Sequence, residues 1–149
     1  MSIELSAASP PLPQPDGLTR FFWDGVGEGE LRIQCCQDCG YYIHYPKPMC
    51  RRCQSTALEG KAVSGSATLY SWTIAVQAFH PFWIERLPFT LATVELVEQP
   101  GLMMASQIVD CPEDRLQAGM PLEVVFVELT PELTLPFFRP AAVDPEDAR

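Results

Sequence analysis

Four cysteines have the spacing of a metal site: Cys36 and Cys39 form one Cys-x2-Cys pair, and Cys50 and Cys53 form a second pair ten residues later. In such a pair both thiolates can converge on one point, and Gly40 directly after the first pair allows the tight turn that this requires. Two pairs complete a tetrahedron with no open position, which is typical of a structural rather than a catalytic site. The spacing therefore predicts one zinc ion (Zn2+) bound by these cysteines.

Other metals and other ligands remain alternatives at this stage. Iron in the same four-thiolate set would make an electron carrier, and cysteines alone do not separate the two metals. Zinc is preferred because nothing else in the sequence indicates redox chemistry. His44 is a rival ligand, but four thiolates are already available. Cys35 could replace Cys36 only in a Cys-x3-Cys pair that turns Cys36 toward an apolar face, and we reject that arrangement.

A strand and a small hairpin must position these cysteines. Leu31, Ile33 and Cys35 alternate with polar residues, which predicts a strand that runs into the first pair. A hairpin through residues 41–48 spans the gap between the pairs. About thirty residues cannot bury enough surface to fold alone, so the metal must supply the missing free energy, on the order of 10–16 kcal/mol for structural zinc. We therefore predict a zinc ribbon over residues 31–63.

Residues 64–140 are predicted to form an all-β domain, followed by a solvated tail over residues 141–149. Alternating apolar and polar residues predict strands at 67–76, 89–97, 102–109, 122–129 and 134–138. In the first of these, strict alternation places Tyr70, Trp72 and Ile74 on one face. Five strands match the OB-fold barrel, and a sandwich or an SH3-like barrel is the alternative.

A short helix is predicted between the third and fourth of these strands. Asp110 has the character of an N-cap, Pro112 and Glu113 fall in the first turn, and Gly119 lies just past the end. A small helix at this point in the strand order is a further feature of the OB architecture. The predicted fold is therefore mainly β, with a zinc ribbon before a five-stranded OB barrel.

Residues 1–30 are predicted to be a disordered leader followed by a short helical arm. Four prolines between positions 10 and 15 favour an extended chain. Phe21, Phe22 and Trp23 then fall in a helical stretch that Asp16 or Thr19 can cap. Three adjacent aromatic residues point around much of a helix, so one face cannot bury all of them. Either they pack on the same chain, or the arm docks on a partner.

The net charge argues against a nucleic-acid partner. Ten basic and nineteen acidic residues give a formal charge of −9 over 149 residues. The region from Glu85 to Glu132 is the more acidic part, and an OB groove for single-stranded nucleic acid needs the opposite sign. The uncharged stretch 62–84 is polar enough to be a strand and a loop rather than a membrane span. Six cysteines without an export signal predict a cytoplasmic protein.

The predicted connection between the first two barrel strands is unusually apolar. It contains Phe79, Phe82 and Trp83, together with His80 and Arg86. OB barrels commonly use this loop to bind ligands. Either these side chains plug one end of the barrel, or they form an exposed surface for a partner protein or an acyl chain. In the second case Arg86 is available for an anionic group.

No set of residues predicts catalysis by this chain alone. Cys111 is the only cysteine outside the predicted ribbon, and His44 and His80 lie in other predicted segments. No Gly-rich phosphate loop or nucleophile elbow is present. A buried, inert Cys111 is the preferred interpretation.

The order of these motifs resembles the acyl-CoA-associated proteins that combine a rubredoxin-like zinc ribbon with an OB fold, long classified as a domain of unknown function. The resemblance covers roughly residues 20–139. It is carried by the Phe-Phe-Trp arm, Cys-Cys-Gln-Asp-Cys-Gly, the Tyr-Pro-Lys-Pro hairpin, Cys-Arg-Arg-Cys, Ser64-Gly65-Ser66-Ala67, Tyr70-Ser71-Trp72-Thr73, Leu87-Pro88-Phe89 and Gly119-Met120-Pro121-Leu122. Cys35 directly before the first ligand departs from the usual pattern.

The resemblance implies zinc at the four paired cysteines and a non-catalytic, accessory role within a hetero-oligomer. The implied partners are thiolase-like enzymes, including lipid-transfer-protein-like aldolases, or MaoC-type enoyl-CoA hydratases, in lipid, polyketide or steroid side-chain metabolism. Because CoA is polyanionic, we expect the partner rather than this acidic chain to hold the acyl-CoA phosphates. The predicted partner- or acyl-binding residues are Phe21, Phe22, Trp23, Phe79, His80, Phe82, Trp83 and Arg86. A free-standing acyl-CoA enzyme that uses His80 or Cys111 is the alternative.

Overall fold

The structure is a computed structural model that describes residues 8–142. The first seven residues of the predicted leader and the predicted tail from residue 143 lie outside the described residues. The elements in chain order are α1 Arg20–Gly27, β1 Arg32–Cys36, β2 Tyr42–Ile43, β3 Leu58–Ala62, β4 Ser66–Ala75, α2 Pro81–Ile84, β5 Phe89–Leu96, β6 Met103–Ile108, a 3-10 turn Glu113–Arg115, β7 Pro121–Thr130 and β8 Leu133–Pro140. No helix within residues 8–142 is long and apolar enough to cross a membrane.

The first sheet has three antiparallel strands in the order β2-β1-β3 and carries the cysteine pairs. The segment between the pairs contributes the two-residue β2, which pairs with β1 rather than forming a hairpin of its own. β3 is a strand that the sequence pattern did not predict, because almost all of it is exposed and polar. It is held by five paired positions along β1 and not by burial.

The second sheet closes into a five-stranded barrel in the order β4-β5-β6-β8-β7, which confirms the predicted OB fold. A single parallel pair, Ile108 with Phe138, closes the barrel between β6 and β8. Phe138 and Val94 are fully buried inside it, and Leu69, Leu96 and Leu122 are only 1% exposed. Alternation along β5 follows the predicted pattern, because every second residue from Thr90 to Leu96 is buried.

Two local predictions in the barrel are wrong. A β-bulge between Leu69 and Ser71 resets the alternation of β4, so that Tyr70 is 60% exposed while Ile74 packs against the core. Asp110 does not cap a helix, because it adopts a left-handed conformation with φ of 56°. After it, an extended Pro112 leads into a 3-10 turn of only three residues. The bulge in β4 and the left-handed conformation of Asp110 are features of the backbone. The periodicity of apolar side chains does not reveal either of them.

The arm and the ribbon share one hydrophobic core with the barrel. Phe22, Leu31 and Ile33 belong to the same buried cluster as Val94 and Phe138. The arm therefore packs on its own chain through Phe22. This was the first of the two interpretations that the sequence left open, the other being docking of the arm on a partner. A side chain at position 60 in β3 would overlap the ring of the arm's Phe21, so a glycine is required there for the arm to approach.

The turn between β5 and β6 fastens the ribbon to the barrel. The side-chain amide of Gln99 accepts a hydrogen bond from the backbone N–H of Tyr42 at 2.9 Å and donates one to its carbonyl at 3.0 Å. Glu98 accepts hydrogen bonds from the backbone N–H and the hydroxyl of Ser64 at 2.9 and 2.6 Å. Gln99 thus occupies the edge of β2 as a neighbouring strand would, and it fixes the ribbon relative to the barrel.

Candidate metal centre and apolar cavity

The ribbon brings the four predicted ligand sulfurs together. The Sγ atoms of Cys36, Cys39, Cys50 and Cys53 all lie within 4.8 Å of one another. The distance from Cys36 Sγ to Cys53 Sγ is 3.5 Å, and that from Cys39 Sγ to Cys50 Sγ is 3.7 Å. A tetrahedral zinc with bonds of about 2.3 Å places its sulfurs about 3.8 Å apart, so these cysteines fit the ion.

The pKa values of the cysteine thiols favour a bound metal ion over four protonated thiols. A backbone hydrogen bond from Cys39 is the largest influence that lowers the pKa of the Cys36 thiol, to about 7. At Cys53 a backbone hydrogen bond from Ser55 acts in the lowering direction, but desolvation and the neighbouring thiols raise the pKa to about 12. The thiols therefore cannot all ionise together without a cation between them. When bound, zinc supplies that charge and replaces the missing hydrophobic core of the ribbon.

The rival ligands lie outside this cluster. Cys35 is buried, and its thiol contacts the carbonyl of Gly40 at 3.7 Å. His44 instead stacks with aromatic rings, 4.1 Å from Tyr45 and 5.8 Å from Phe22 between centroids. The guanidinium of Arg51 lies 5.6 Å above the ring of Tyr41, which keeps a positive charge beside the thiolate cluster.

The β4–β5 loop is only partly exposed. Phe82 is 3% exposed and packs edge-to-face on Trp83 with centroids 5.1 Å apart. Arg86 lies 3.6 Å over the Phe82 ring and donates a hydrogen bond to the Phe82 carbonyl at 2.8 Å, so its charge is engaged within the loop. His80 Nδ1 accepts from the backbone N–H of Phe82 and caps α2. Phe79 is different, because 93% of its surface is exposed.

A large open cavity lies where the arm, the ribbon, the β4–β5 loop and the barrel meet. Its volume is about 720 Å³. Trp23 of the arm, His44 and Tyr45 of the ribbon, and Trp83 of the loop line it, together with residues of β4, β5 and β6. Trp72 on β4 lines it as well. The structure thus brings three of the predicted aromatic residues, Phe22, Trp23 and Trp83, to one cavity, and it places the exposed Phe79 outside it.

His44 has an unusual environment on the wall of this cavity. Burial lowers the pKa of its imidazole from 6.5 to about 4, so the ring is neutral at pH 7. Its Nδ1 atom is buried and has no hydrogen-bond partner within residues 8–142. Sequence patterns do not predict this environment, because the ring is positioned by contacts with Phe22 and Tyr45 that form only in the folded chain.

The parts of the chain match two family models. Residues 23–59 match the model described as ChsH2, rubredoxin-like zinc ribbon domain, and residues 60–127 match that described as ChsH2, C-terminal OB-fold domain. A solved structure described as the Ltp2-ChsH2(DUF35) aldolase superposes with a TM-score of 0.79 at 32% identity. That comparison covers 88% of this chain and all of the matched chain.

Two curated relatives carry different names. The probable enoyl-CoA hydratase alpha subunit of Thermomonospora curvata is 32% identical over 136 residues, which are 91% of this chain. The chain spans only 41% of that relative's length. A DUF35 domain-containing scaffold protein of Methanothermobacter thermautotrophicus is 31% identical over 98 residues, which cover 65% of this chain and 71% of the relative.

Together these matches define the class of protein as a rubredoxin-like zinc ribbon joined to an OB-fold barrel. Within that class, the chain belongs to the DUF35 family. Its ribbon has four cysteines positioned to bind one zinc ion.

Proposed function

We propose that this protein is a non-catalytic accessory subunit that binds and supports a thiolase-like aldolase acting on acyl-CoA. The observation that carries this proposal is the likeness to the DUF35 chain of the aldolase structure, which extends along the whole of that chain. A closed four-thiolate zinc site and a packed barrel are features of a rigid scaffold rather than of a reaction centre. The scaffold name of a relative supports the same role.

The β4–β5 loop offers a contact surface for such an enzyme. Val76, Phe79 and Ile84 are 77%, 93% and 47% exposed, and all three lie in or beside this loop. Large apolar side chains that are exposed together in one segment mark an interaction site more often than a free surface. We call these three residues the loop patch, and we propose that it packs against the aldolase.

The negative charge of the chain makes binding of the CoA phosphates by the partner more favourable than binding by this chain. The chain carries −9, and a polyanionic ligand is repelled by such a charge at long range. The aldolase subunit would then bind the phosphates, while this chain stabilises the complex. A cytoplasmic location is part of the proposal, since reduced thiols are needed as zinc ligands.

A hydratase is the second candidate partner. The Thermomonospora relative is named as a hydratase alpha subunit and is more than twice as long as the matched region. If this chain serves a MaoC-type hydratase, it would correspond to one part of such an alpha subunit. The two candidates differ in which enzyme forms a stable complex with the chain.

The test is co-expression of the chain with the thiolase-like aldolase of its host and, separately, with the host's MaoC-type hydratase. We expect a stable complex with the aldolase by analytical ultracentrifugation, and acyl-CoA cleavage only when the aldolase is present. The double variant Phe79→Ser/Ile84→Ser should weaken the complex at least about tenfold, because it removes two large apolar side chains from the contact, and loss of a residue that anchors an interface costs about 2 kcal/mol or more.

Val97→Ser is the matched control, because Val97 is also an exposed aliphatic residue, at 59%, but lies outside the loop. Phe82 is unsuitable for this test, since its burial makes a serine there a folding defect. A stable complex with the hydratase and none with the aldolase would identify the hydratase as the partner. Acyl-CoA turnover by the isolated chain would contradict the accessory role.

A further inference from the structure

The edge of β4 that faces away from β5 is only partly covered by other strands. β4 pairs with β5 along most of its length, but it pairs with β7 only at residues 66–68. Leu69 still has partners on the β7 side, because its N–H donates to the carbonyl of Met120 and its carbonyl accepts from the N–H of Gly119. Between Tyr70 and Ala75, no backbone hydrogen bond is formed on that side within residues 8–142. This stretch of strand edge is therefore open.

The open edge of β4 lacks the features that usually prevent an edge strand from pairing with another chain. Such features include charged side chains and proline. The edge strand of the ribbon, β3, carries exposed Glu59 and Lys61. The open stretch of β4 contains no proline, and no charged residue occurs from position 62 to position 84. Because Tyr70 and Trp72 on this stretch are also 60% and 37% exposed, it has the properties of a strand that pairs with a partner strand.

The sequence of the open stretch is complementary to itself. Directly opposed residues must point to the same face of a sheet, so a symmetric antiparallel pair of identical strands is centred on one residue. Centring on Thr73 uses residues 71–75, which follow the bulge and are regularly paired with β5 on their other side. The opposed pairs are then Thr73 with Thr73, Trp72 with Ile74, and Ser71 with Ala75. Thr–Thr and aromatic–β-branched pairs are among the favourable cross-strand contacts.

The neighbouring registers fit the open edge less well. Centring on Trp72 would extend the pairing to Leu69, whose backbone groups are already bonded on that side. Centring on Ile74 would extend it to Gln77, which lies beyond the end of β4. The register centred on Thr73 therefore uses open strand edge and nothing else.

The charge of the chain makes this edge a suitable place for two copies to meet. Each copy carries −9, so two copies repel each other at long range. The repulsion is smallest where neither surface presents a charge, and the stretch from residue 62 to residue 84 is uncharged. A second copy brings the same uncharged strand to the contact, so no charge is buried without a partner.

We propose that two copies of this chain form a symmetric dimer by antiparallel pairing of their β4 edges about Thr73. The barrel sheets of the two copies are then continuous across the dimer axis. The paired stretch, residues 71–75, contains no residue of the loop patch, so the dimer and the contact proposed for the aldolase use different residues. The inference needs no aldolase, and it stands or falls separately from the accessory role.

Sedimentation velocity of the purified, zinc-loaded full chain tests the dimer in the absence of any partner. We expect a concentration-dependent change from one chain to two over the micromolar range. Thr73 is exposed, so the folded monomer tolerates a lysine there. Across the dimer axis, however, Thr73→Lys places two like charges directly opposite each other. It should therefore weaken dimerisation at least about tenfold.

A control variant and a charge exchange locate the contact. Ser66→Lys is the matched control, because Ser66 is also exposed on β4 but is already paired with Glu123 of β7. It should dimerise like the wild type. Thr73→Glu alone should be as defective as Thr73→Lys. An equimolar mixture of these two variants should recover the dimer, because opposite charges then face each other at the axis, and recovery also shows that both variants are folded.

A wild-type chain that stays monomeric over the whole concentration range would overturn the inference. Dimerisation of Thr73→Lys at wild-type affinity, an equal defect in Ser66→Lys, or a mixture of the two charge variants that stays monomeric would do the same. If the wild type is monomeric and Thr73→Lys instead disrupts the complex with the aldolase, the edge binds the enzyme and the dimer is refuted. Loss of the aldolase complex by a chain that still dimerises would count only against the accessory role.

Discussion

The zinc site depends on which of two adjacent cysteines enters the cluster. Cys35 and Cys36 follow each other in β1, and side chains of adjacent strand residues point to opposite faces. Cys36 faces the other three sulfurs, whereas the Cys35 thiol faces the carbonyl of Gly40. The spacing of the pairs was sufficient to predict this outcome, because a knuckle is a local structure whose geometry is determined within four residues.

Exchange of either cysteine for serine should separate the two roles. We expect Cys36→Ser to lose stoichiometric zinc and the ordered ribbon, because zinc binding supplies most of the free energy that folds it. Cys35→Ser should retain one zinc per chain and cost only about 1–2 kcal/mol of stability, as a conservative change in a buried position does. Zinc content by mass spectrometry and urea unfolding measure the two effects. Zinc retained by Cys36→Ser and lost by Cys35→Ser would reverse the assignment.

At the scale of elements, the strands of the barrel were predictable and their irregularities were not. The alternation of β5 followed the sequence pattern because one face is buried over its full length. β4 departs from its pattern at a single bulged residue, Tyr70, and β3 has no apolar pattern at all. In both cases the structure is determined by pairing with a neighbouring strand, which local sequence does not encode.

The contact between Gln99 and β2 is an element-scale feature that can be tested by mutation. Gln99→Leu removes both hydrogen bonds between the side chain at position 99 and Tyr42. The backbone N–H and carbonyl of Tyr42 are then left without these partners in a partly buried position. We expect a loss of about 1–3 kcal/mol in the free energy of unfolding. Gln117→Leu, at an exposed turn, is the matched control and should change stability by less than about 0.5 kcal/mol.

Urea unfolding followed by tryptophan emission measures both variants. Hydrogen exchange should also increase at Tyr42 in Gln99→Leu and not in the control. Equal stability of the two variants would mean that the hydrogen bonds between Gln99 and Tyr42 do not contribute to holding the ribbon on the barrel.

At the scale of the whole molecule, the ribbon and the barrel depend on each other. Leu31 and Ile33 precede the first cysteine pair, yet they belong to the buried cluster that includes Val94 and Phe138 of the barrel. The sequence predicted two successive modules and could not show that they share a core, because that core joins residues that are about sixty to more than one hundred positions apart. The cavity was missed for the same reason, since its lining residues come from the arm, the ribbon, the β4–β5 loop and several strands of the barrel.

Removal of zinc should therefore weaken the barrel as well as the ribbon. If the ribbon unfolds, the barrel loses the packing of Leu31 and Ile33, which is worth roughly 3–6 kcal/mol at about 1.5–3 kcal/mol for each side chain. We expect a single thermal transition with zinc, and a barrel that melts on the order of 10 °C lower after chelation. Circular dichroism of the β-sheet measures both, and added zinc should restore the original transition. An unchanged melting temperature after complete zinc removal would show that the barrel is independent.

The close approach of the arm to β3 has a consequence for how this protein can diverge. The ring of Phe21 occupies the space that a side chain at Gly60 would need. The two positions therefore constrain each other: a larger residue at 60 is tolerated only with a smaller one at 21, or with an arm that has moved away. Because the same arm carries Trp23 to the cavity, a change on the exposed strand β3, which does not line the cavity, can alter the shape of the cavity without touching any residue that lines it.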